Sequence, residues 1–337
     1  MDNVTHFVLG ASLAGCVLGQ RTTAWRAVLW GGLVAELPDL DVLLDHGDAV
    51  ANMVHHRGHS HAVFWMALAA PVLAAVAVRV HRERDRFVRW WLALFAALLS
   101  HAGCDAMTIY GTQLLQPFDD REFGVGSLFV IDPLVTLPML AGVVAFVRCA
   151  APRGRRWLRG GLLWALAYSA WSVGAQQWAA AVARRALAAN GTEVRALLAT
   201  PAPLQTCLWR LVAITPDGAR EGFWSVFDGD RVPQFHRIEL GRELREALRD
   251  NRAVADLERF AGDFVQYTRD GEAVRATDLR MGQDPYYVFS FVVARRDGAG
   301  GFAPVPAPER SGARIDVARG LEWLWPRMWG ADVPAPR

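Results

Sequence analysis

The chain has 337 residues, enough for two folded units, and it is 53% hydrophobic with a formal net charge of +2. A charge so close to balance argues against a protein that binds nucleic acid through a basic surface. The four cysteines form no Cys-x-x-Cys pair, which argues against a zinc ribbon or a disulfide framework.

Long apolar stretches are concentrated in residues 1–185, and their lengths predict how the chain meets a membrane. In chain order they are Phe7–Leu18, Trp25–Leu37, Ala62–Val80, Phe87–Leu99, Leu128–Val147 and Trp157–Val182. A membrane-spanning helix needs about 20 apolar residues. The third, fifth and sixth stretches satisfy this length, the first two are short, and the fourth does so only if it includes His101 and Asp105. We therefore expect an α-helical membrane bundle of about six helices.

Arginines are clustered in alternate connections between these stretches. By the positive-inside rule such connections face the cytoplasm. The arginines are Arg21, Arg26, Arg79, Arg82, Arg84, Arg86, Arg89, Arg148, Arg153, Arg155, Arg156 and Arg159. The histidine- and aspartate-rich motifs lie at the opposite ends of the same stretches. The pattern predicts a multi-pass protein of the inner (plasma) membrane with these motifs on the non-cytoplasmic side.

Residues 195–337 have the composition of a soluble, extracytoplasmic α+β domain. Strand-like runs at Thr206–Thr215, Gly222–Phe227 and Tyr286–Arg295 are separated by Asp-Gly turn signals. Leu240–Phe264 has apolar residues at helical spacing between them. The amphipathic segment Ile315–Trp329 predicts a C-terminal surface helix that rests on the bilayer.

The residues that carry chemistry are histidines and aspartates, and seven of the nine histidines lie in the first 61 residues or at position 101. Imidazole and carboxylate are the usual ligands of hydrolytic zinc and similar divalent ions. His101 and Asp105 are four residues apart, so both side chains lie on one face of a helix, where they can chelate a cation. A helix-end histidine with a capping aspartate is the structural alternative.

The second motif is a histidine cluster around Arg57, namely His55, His56, His59 and His61. These four imidazoles cannot all bind one ion. If a helix begins near Gly58, His59 and His61 point in different directions, so one can coordinate while the other contacts the substrate or carries a proton. The planar guanidinium of Arg57 suits an anionic group such as a phosphate. A solvated His-rich loop is the alternative.

Three further acidic or imidazole positions remain open between roles. In Pro38-Asp39-Leu40-Asp41 the proline ends a helix, and one carboxylate can act as a ligand while the other orients a histidine. His6 opens the first apolar stretch. The sequence favours equally a metal ligand and a hydrogen-bonded polar residue at this position. Asp132 precedes Pro133, so capping of the fifth helix is favoured over metal binding.

Taken in order, these motifs resemble the YdjM-like family of inner-membrane-associated proteins, described as LexA-binding metal-dependent hydrolases. The resemblance rests on Thr5-His6, Pro38-Asp39-Leu40-Asp41, His56-Arg57-Gly58-His59-Ser60-His61, Ser100-His101 to Asp105, Tyr110-Gly111 and Pro117-Phe118, and it covers about residues 1–147. It implies a multi-pass bundle, a divalent metal and hydrolase chemistry. The His-x-x-x-Asp step is also similar to part of the pattern of zinc-dependent phospholipase C.

On the matching positions, the resemblance implies a metal set of His6, Asp39, His59, His101 and Asp105, with zinc as the expected ion. His61, Arg57 and Asp41 are then the predicted catalytic residues. The expected partners are the lipid bilayer and an amphipathic or lipid substrate, and the residues themselves do not support a LexA interaction. The predicted function is a membrane-embedded hydrolase, and the alternative is a non-enzymatic metal-binding transporter or scaffold.

Overall fold

The computed structural model describes residues 1–19, 21–298, 300–312 and 316–336. The chain divides into two compact units. Unit 1 comprises Met1–Leu43, Arg57–Gly174 and Pro203–Gln205; unit 2 comprises Leu44–His56, Ala175–Ala202 and Thr206–Arg337. A helical N-terminal region is thus followed by a sheet-containing C-terminal region, as predicted.

The N-terminal region is built from seven α-helices and three 3-10 helices among the described residues. They are α1 (Asn3–Leu18), α2 (Ala24–Glu36), η1 (Pro38–Leu43), α3 (Ala49–His55), η2 (His59–His61), α4 (Val63–His81), η3 (Arg84–Arg86), α5 (Phe87–Ala106), α6 (Pro133–Arg148) and α7 (Arg153–Ala189). Asp132 caps α6 by accepting a hydrogen bond from the backbone N–H of Leu134, which confirms the predicted capping role.

Two segments of the described chain are long and apolar enough to cross a membrane, Val63–His81 and Arg84–Ala106. The first corresponds to the predicted third stretch, and the second is the fourth stretch extended through His101 and Asp105. The fifth stretch forms a helix of only 16 residues, α6, which is apolar but short. The sixth stretch, α7, is not among the described segments that are long and apolar enough to cross. A bundle of six membrane spans therefore stays a prediction.

The helices of unit 1 pack closely because small side chains line their contacts. α1 contacts α2 and α5, and α4 contacts α5. The buried positions of this core include Ala14, Ala27, Ala70, Ala93 and Ala97, together with the indole of Trp90. Interfaces rich in small residues are typical of helices that associate within a membrane, where close backbone approach replaces the hydrophobic driving force.

Gly10 of α1 and Gly31 of α2 form the closest approach in this core. A Cβ atom added at Gly10 would overlap the carbonyl oxygen of Gly31, and one added at Gly31 would overlap the carbonyl oxygen of Gly10. The two backbones therefore touch without intervening side chains. This crossing sets the position of α1, which carries His6, relative to the end of α2, after which η1 carries Asp39.

Unit 2 contains two four-stranded antiparallel sheets and a two-stranded ribbon. The strands are β1 (Ala196–Pro201), β2 (Leu208–Thr215), β3 (Gly218–Ser225), β4 (Phe235–Ile238), β5 (Val265–Asp270), β6 (Ala273–Asp278), β7 (Gly282–Gln283), β8 (Tyr286–Tyr287), β9 (Ser290–Arg296) and β10 (Phe302–Arg310). The order of the first sheet is β1-β2-β3-β4 and that of the second is β10-β9-β6-β5. Ala175, Ala179 and Ala183 of α7 pack with Trp209 and Trp224 of the first sheet, so the boundary between the units falls within α7.

The predicted strand runs correspond to β2, β3 and β9, whereas β1, β4, β5, β6 and β10 were not predicted. The predicted helix at Leu240–Phe264 is divided into α8 (Arg242–Ala247) and α9 (Arg252–Ala261). The division has a local cause, since the Asn251 side chain caps a new helix by accepting from the N–H of Val254. The C-terminal segment forms α10 (Val317–Met328); its predicted first residue, Ile315, lies outside the described residues.

We expect Gly31→Ala to lower the free energy of unfolding by about 1–3 kcal/mol, because the added methyl group overlaps a backbone oxygen that cannot move without separating α1 from α2. Gly160→Ala in α7 is the matched control, since a Cβ at that position meets no atom within 4 Å. Thermal unfolding of both variants in detergent, followed by circular dichroism, measures the difference. An unchanged midpoint for Gly31→Ala would contradict the tight crossing.

Candidate metal centre

Four ligand-type side chains from three segments converge in unit 1. They are Asp39 of η1, His61 of η2, and His101 and Asp105 of α5, and each contributes one atom to a group whose members all lie within 4.8 Å of one another. The side chains of His61, His101 and Asp105 are completely buried, whereas that of Asp39 is 21% exposed. Asp39 is therefore the member of the group that solvent reaches.

The distances within the group fall in a narrow range. The Nε2 atoms of His61 and His101 are 3.0 Å apart, and each lies 3.4 Å from Asp105 Oδ2. Asp39 Oδ1 lies 3.4 Å from the Nε2 of His61 and 3.5 Å from that of His101. Two imidazoles and two carboxylates thus point their polar atoms into one small volume.

Local structure explains why these residues point inward. His101 and Asp105 are one turn apart in α5, so they share a face of that helix. Asp39 enters the group because Pro38 begins a 3-10 helix immediately after α2. A second short 3-10 turn carries His61, whose N–H bonds to the carbonyl of Gly58.

The second oxygen of Asp105 faces different partners. Arg57 Nη2 lies 3.0 Å from Asp105 Oδ1, and His6 Nε2 lies 3.3 Å from it. The amino group of Met1 donates a hydrogen bond to the same oxygen. The Arg57 guanidinium also donates to Thr108 Oγ1 at 3.1 Å. One edge of the Asp105 carboxylate is therefore compensated by cations, whereas the other faces the two imidazoles.

Asp41 and Ser60 hold the outer nitrogen of the His61 ring. Ser60 Oγ lies 2.8 Å from His61 Nδ1 and donates to Asp41 Oδ2 at 2.6 Å. The backbone N–H of Arg57 donates to the same carboxylate oxygen at 3.1 Å. Contacts of this kind fix the ring orientation and leave the opposite nitrogen available as a ligand.

The protonation of the group follows from these contacts. Burial disfavours a charged His61, but the close carboxylates of Asp105, Asp39 and Asp41 outweigh it and raise the pKa of His61 to about 9. Burial alone would raise the pKa of Asp39, but the imidazoles of His101 and His61 beside it hold this pKa below its usual range. Without a cation, a proton on His61 therefore balances part of the negative charge.

Three of the five predicted metal ligands, Asp39, His101 and Asp105, belong to the group. His6 is buried beside it and stacks on His101 with ring centroids 3.8 Å apart, but it contacts the opposite oxygen of Asp105. His59 is exposed and lies near Trp65, outside the group, and His61 is the histidine of this segment that joins it. Residues two apart in a 3-10 helix differ by roughly two thirds of a turn, so His59 and His61 point about 120° apart, to different faces.

The predicted catalytic residues lie around the group in different roles. His61 supplies one of the four atoms, and Asp41 contacts it from the outer side. Arg57 is buried, pairs with Asp105 and lies over the ring of Tyr110, with its Cζ atom 4.8 Å from the ring centroid. Its fork is directed into the protein rather than toward solvent. Ser60 and Thr108 are contacts that sequence reasoning missed, because a hydroxyl near a histidine gives no periodic signal.

A small divalent cation fits the arrangement of the four atoms. Bonds of about 2.0–2.1 Å to a tetrahedral zinc ion place neighbouring ligand atoms roughly 3.3 Å apart. The separations between the His61, His101, Asp39 and Asp105 atoms range from 3.0 to 3.5 Å for five of the six pairs. Asp105 Oδ2 is also buried without a hydrogen-bond partner among the described residues. The donor types, their spacing and this oxygen all suit a bound cation, while the identity of the ion stays a prediction.

Apolar helices of membrane-spanning length beside a buried His/Asp cluster define a class of membrane-associated proteins with a candidate metal site. Comparison with known families is consistent with this class. Residues 1–179 match the model of a family described as YdjM inner membrane protein. The chain belongs to the YdjM family.

Two relatives match parts of the chain. The uncharacterized protein YfhP of Bacillus subtilis (strain 168) is 26% identical over 158 residues, which cover 45% of this chain and 48% of the relative. The inner membrane protein YbcI of Escherichia coli (strain K12) is 33% identical over 123 residues, covering 36% of this chain and 69% of the relative. The chain thus spans about half the length of YfhP. No solved structure matches, so the likeness to zinc-dependent phospholipase C stays a prediction.

We expect His61→Ala to weaken Zn²⁺ binding by more than about 100-fold, beyond the usual effect of losing an outer-shell contact, because it removes one of four ligand atoms. His59→Ala is the matched control and keeps wild-type affinity, since this ring is exposed. Competition with a chromophoric chelator in detergent gives both affinities. Equal losses in the two variants, or a loss in His59→Ala alone, would contradict the four-residue group.

Zn²⁺ binding should weaken as the pH falls below about 9. Below that pH the metal-free His61 is protonated, so the cation must displace a proton to reach its nitrogen. Each displaced proton makes the apparent affinity about tenfold weaker per pH unit. Affinities measured at pH 6, 7 and 8 test this, and a pH-independent affinity would show that His61 does not exchange a proton for the ion.

Proposed function

We propose that the chain is a membrane-embedded, metal-dependent hydrolase whose cation is held by Asp39, His61, His101 and Asp105. The observation that carries the proposal is the convergence of one atom from each of these residues within 4.8 Å, with both imidazole nitrogens 3.4–3.5 Å from both carboxylate oxygens. Zinc is the proposed ion because the donors are imidazole nitrogens and carboxylate oxygens. Membership of the YdjM family supports the membrane association.

The position of the cluster along the apolar helices supports a site at a membrane boundary. His61 precedes α4 by two residues, and His101 and Asp105 lie in the last two turns of α5. If α4 and α5 span the bilayer, these residues lie at one surface of it. The opposite ends meet at Arg79, Arg82, Arg84, Arg86 and Arg89. By the positive-inside rule this arginine end faces the cytoplasm, which favours a non-cytoplasmic site.

Lewis acidity is the chemistry that such a cation supplies, since it activates water for attack and polarises the bond being cleaved. The chain itself positions the ligands. Asp41 and Ser60 hold the His61 ring from its Nδ1 side, and Arg57 holds Asp105 by its Oδ1 atom. Asp39, which is partly exposed, lies on the side from which a substrate approaches. A site at this depth favours an amphipathic substrate, and we propose a phosphate ester of a lipid.

One feature of the cluster favours a non-enzymatic alternative, a metal-binding scaffold. Structural zinc sites have four protein ligands, whereas catalytic sites usually have three and an open position. Four residues here are available to one ion. A hydrolase therefore requires Asp39, the exposed member, to leave room for water or substrate. A transporter is less favoured, because the ionisable residues gather at one end of the helices rather than along them.

We expect His101→Ala to lose both bound metal and lipid hydrolysis, because it removes a buried ligand. Metal content of detergent-purified protein, and turnover of a panel of phospholipids in mixed micelles, are measured on the same samples. His59→Ala is the control, and it should retain metal and turnover.

Wild-type protein that holds stoichiometric metal but cleaves no lipid in the panel would favour the scaffold over the hydrolase. Full lipid turnover by a metal-free His101→Ala protein would overturn the proposed mechanism. Metal uptake into sealed proteoliposomes, assayed in parallel, identifies a transporter.

A further inference from the structure

The corner between α4 and α5 carries positive charge that the chain itself does not neutralise. Residues 79–89 contain five arginines and two acidic residues, Glu83 and Asp85. Both acids pair with Arg86, since Glu83 Oε1 lies 3.6 Å from its Nη1 atom and Asp85 Oδ2 lies 3.6 Å from its Nε atom. In the part of the chain that the structure describes, the other arginines of this segment form no ion pair, namely Arg79, Arg82, Arg84 and Arg89.

Three of these unpaired arginines line one open surface cavity of about 570 Å³, and we call them the arginine group. They are Arg79, Arg82 and Arg84, and Asp85 lines the same cavity. The Asp85 side chain is 77% exposed and is paired with Arg86, so it offsets little of their charge. A guanidinium presents its N–H groups in a planar fork that matches the oxygens of a phosphate. The lining of the cavity therefore favours a ligand that carries a phosphate.

The backbone that carries the arginine group is held in place by hydrogen bonds. Glu83 is buried, and its two oxygens accept from Thr22 Oγ1 and Trp90 Nε1, each at 3.0 Å. Thr22 lies between α1 and α2, so Glu83 ties the corner to a second helix connection. Arg82 adopts a left-handed conformation with φ of 58°, and the N–H of Glu83 donates to the carbonyl of Val78 at 2.9 Å. The three arginines therefore extend from a defined turn.

The helix dipole explains only part of the arginine group. Arginines in the last turn of a helix are stabilising because they lie at its negative end. Arg79 and Arg82 lie at the C-terminal end of α4 and satisfy this condition. Arg84 lies beyond that helix, in η3, which directly precedes α5. Positive charge at a helix N-terminus is unfavourable, so a ligand of opposite charge would stabilise Arg84 where it lies.

The outward side of α4 leads directly to the arginine group. Leu68, Val72 and Val76 are 53%, 63% and 47% exposed, and their spacing of four residues places them on one face of the helix. Arg79 follows Val76 by three residues and continues that face. The opposite face is buried in the core of unit 1, and every exposed residue of α4 before Arg79 is apolar. We call Leu68, Val72 and Val76 the apolar face. An apolar row that ends at three unpaired guanidiniums is complementary to a molecule with a phosphate at one end of an apolar chain.

From this complementarity we propose that the corner binds an anionic phospholipid, with the headgroup phosphate in the arginine group and an acyl chain along the apolar face. The site is separate from the candidate metal centre. His61 precedes the first turn of α4 and Arg79 lies in its last turn, and a helix of 19 residues is about 28 Å long. The lipid is a bound ligand of this corner rather than a substrate, so the inference does not depend on the proposed hydrolase.

Native mass spectrometry of the full chain in detergent tests the site with two lipids. Dioleoylphosphatidylglycerol is anionic, and dioleoylphosphatidylcholine has the same chains and phosphate but no net charge. We expect wild-type protein to favour the anionic lipid by at least about fivefold, since each arginine beside an anionic lipid contributes roughly that factor. The triple variant Arg79→Gln/Arg82→Gln/Arg84→Gln should lose this preference. Equal binding of the two lipids by wild-type protein, or a preference that the triple variant retains, would overturn the site.

A second triple variant controls for net charge. Arg249→Gln/Arg252→Gln/Arg259→Gln removes the same charge from side chains of unit 2 that are 66%, 95% and 57% exposed, and it should keep the wild-type preference. Equal losses in the two triple variants would show an effect of overall charge and overturn the site. Both variants should bind Zn²⁺ with wild-type affinity, which shows that unit 1 is folded.

A soluble competitor distinguishes a lipid headgroup from a free phosphate compound. Excess glycerol 3-phosphate, compared with sodium chloride at the same ionic strength, should leave the fraction of protein bound to phosphatidylglycerol unchanged, because it lacks the chains that contact the apolar face. Displacement of the lipid by glycerol 3-phosphate but not by the salt would show that the arginine group selects a soluble phosphate, and it would overturn the assignment to a phospholipid.

Discussion

The burial of charge at Asp105 is the constraint on which the rest of unit 1 depends. A buried carboxylate costs several kcal/mol unless partners compensate it. Asp105 Oδ1 has such partners in Arg57 and the amino group of Met1. Asp105 Oδ2 faces the imidazoles of His61 and His101, which compensate its charge weakly when neutral. The cluster is therefore balanced on one side by the chain and on the other by a proton or a cation.

In unit 2, the charge of a buried acid is compensated directly by an arginine. Its buried Glu221 is paired directly with Arg210, with Nη2 and Oε2 2.8 Å apart, and the hydroxyl of Tyr287 donates to the same oxygen. Arg210 Nη1 also donates to the carbonyl of Leu279. Each charged group in this network meets a permanent opposite charge or a hydrogen-bonding partner. The contrast shows that this chain is able to pair a buried acid fully, and that unit 1 leaves one oxygen of Asp105 without a hydrogen bond.

Much of the fold is predictable from local patterns, and several of the exceptions have an identifiable physical cause. Apolar runs located the helices of the N-terminal region, and the Asp-Pro pair located the start of α6. Strands β1, β4 and β10 were not predicted from the sequence. They are edge strands that are stabilised by pairing with β2, β3 and β9, and their own alternation of apolar and polar residues is weak. The division between α8 and α9 was not predicted, because the apolar spacing is continuous across it while the Asn251 side chain caps a new helix.

For the candidate site, the sequence by itself determined which residue types are available and that His101 and Asp105 share a helix face, since helical periodicity is a local property. Only the tertiary structure decided that Asp39 and His61 join them, that His59 turns to solvent, and that Arg57 is occupied by Asp105. These outcomes depend on how separate segments meet, and the Gly10–Gly31 crossing and two short 3-10 turns set that meeting. A rotation of one residue in such a turn moves a side chain by about 120°, which no spacing rule along the chain resolves.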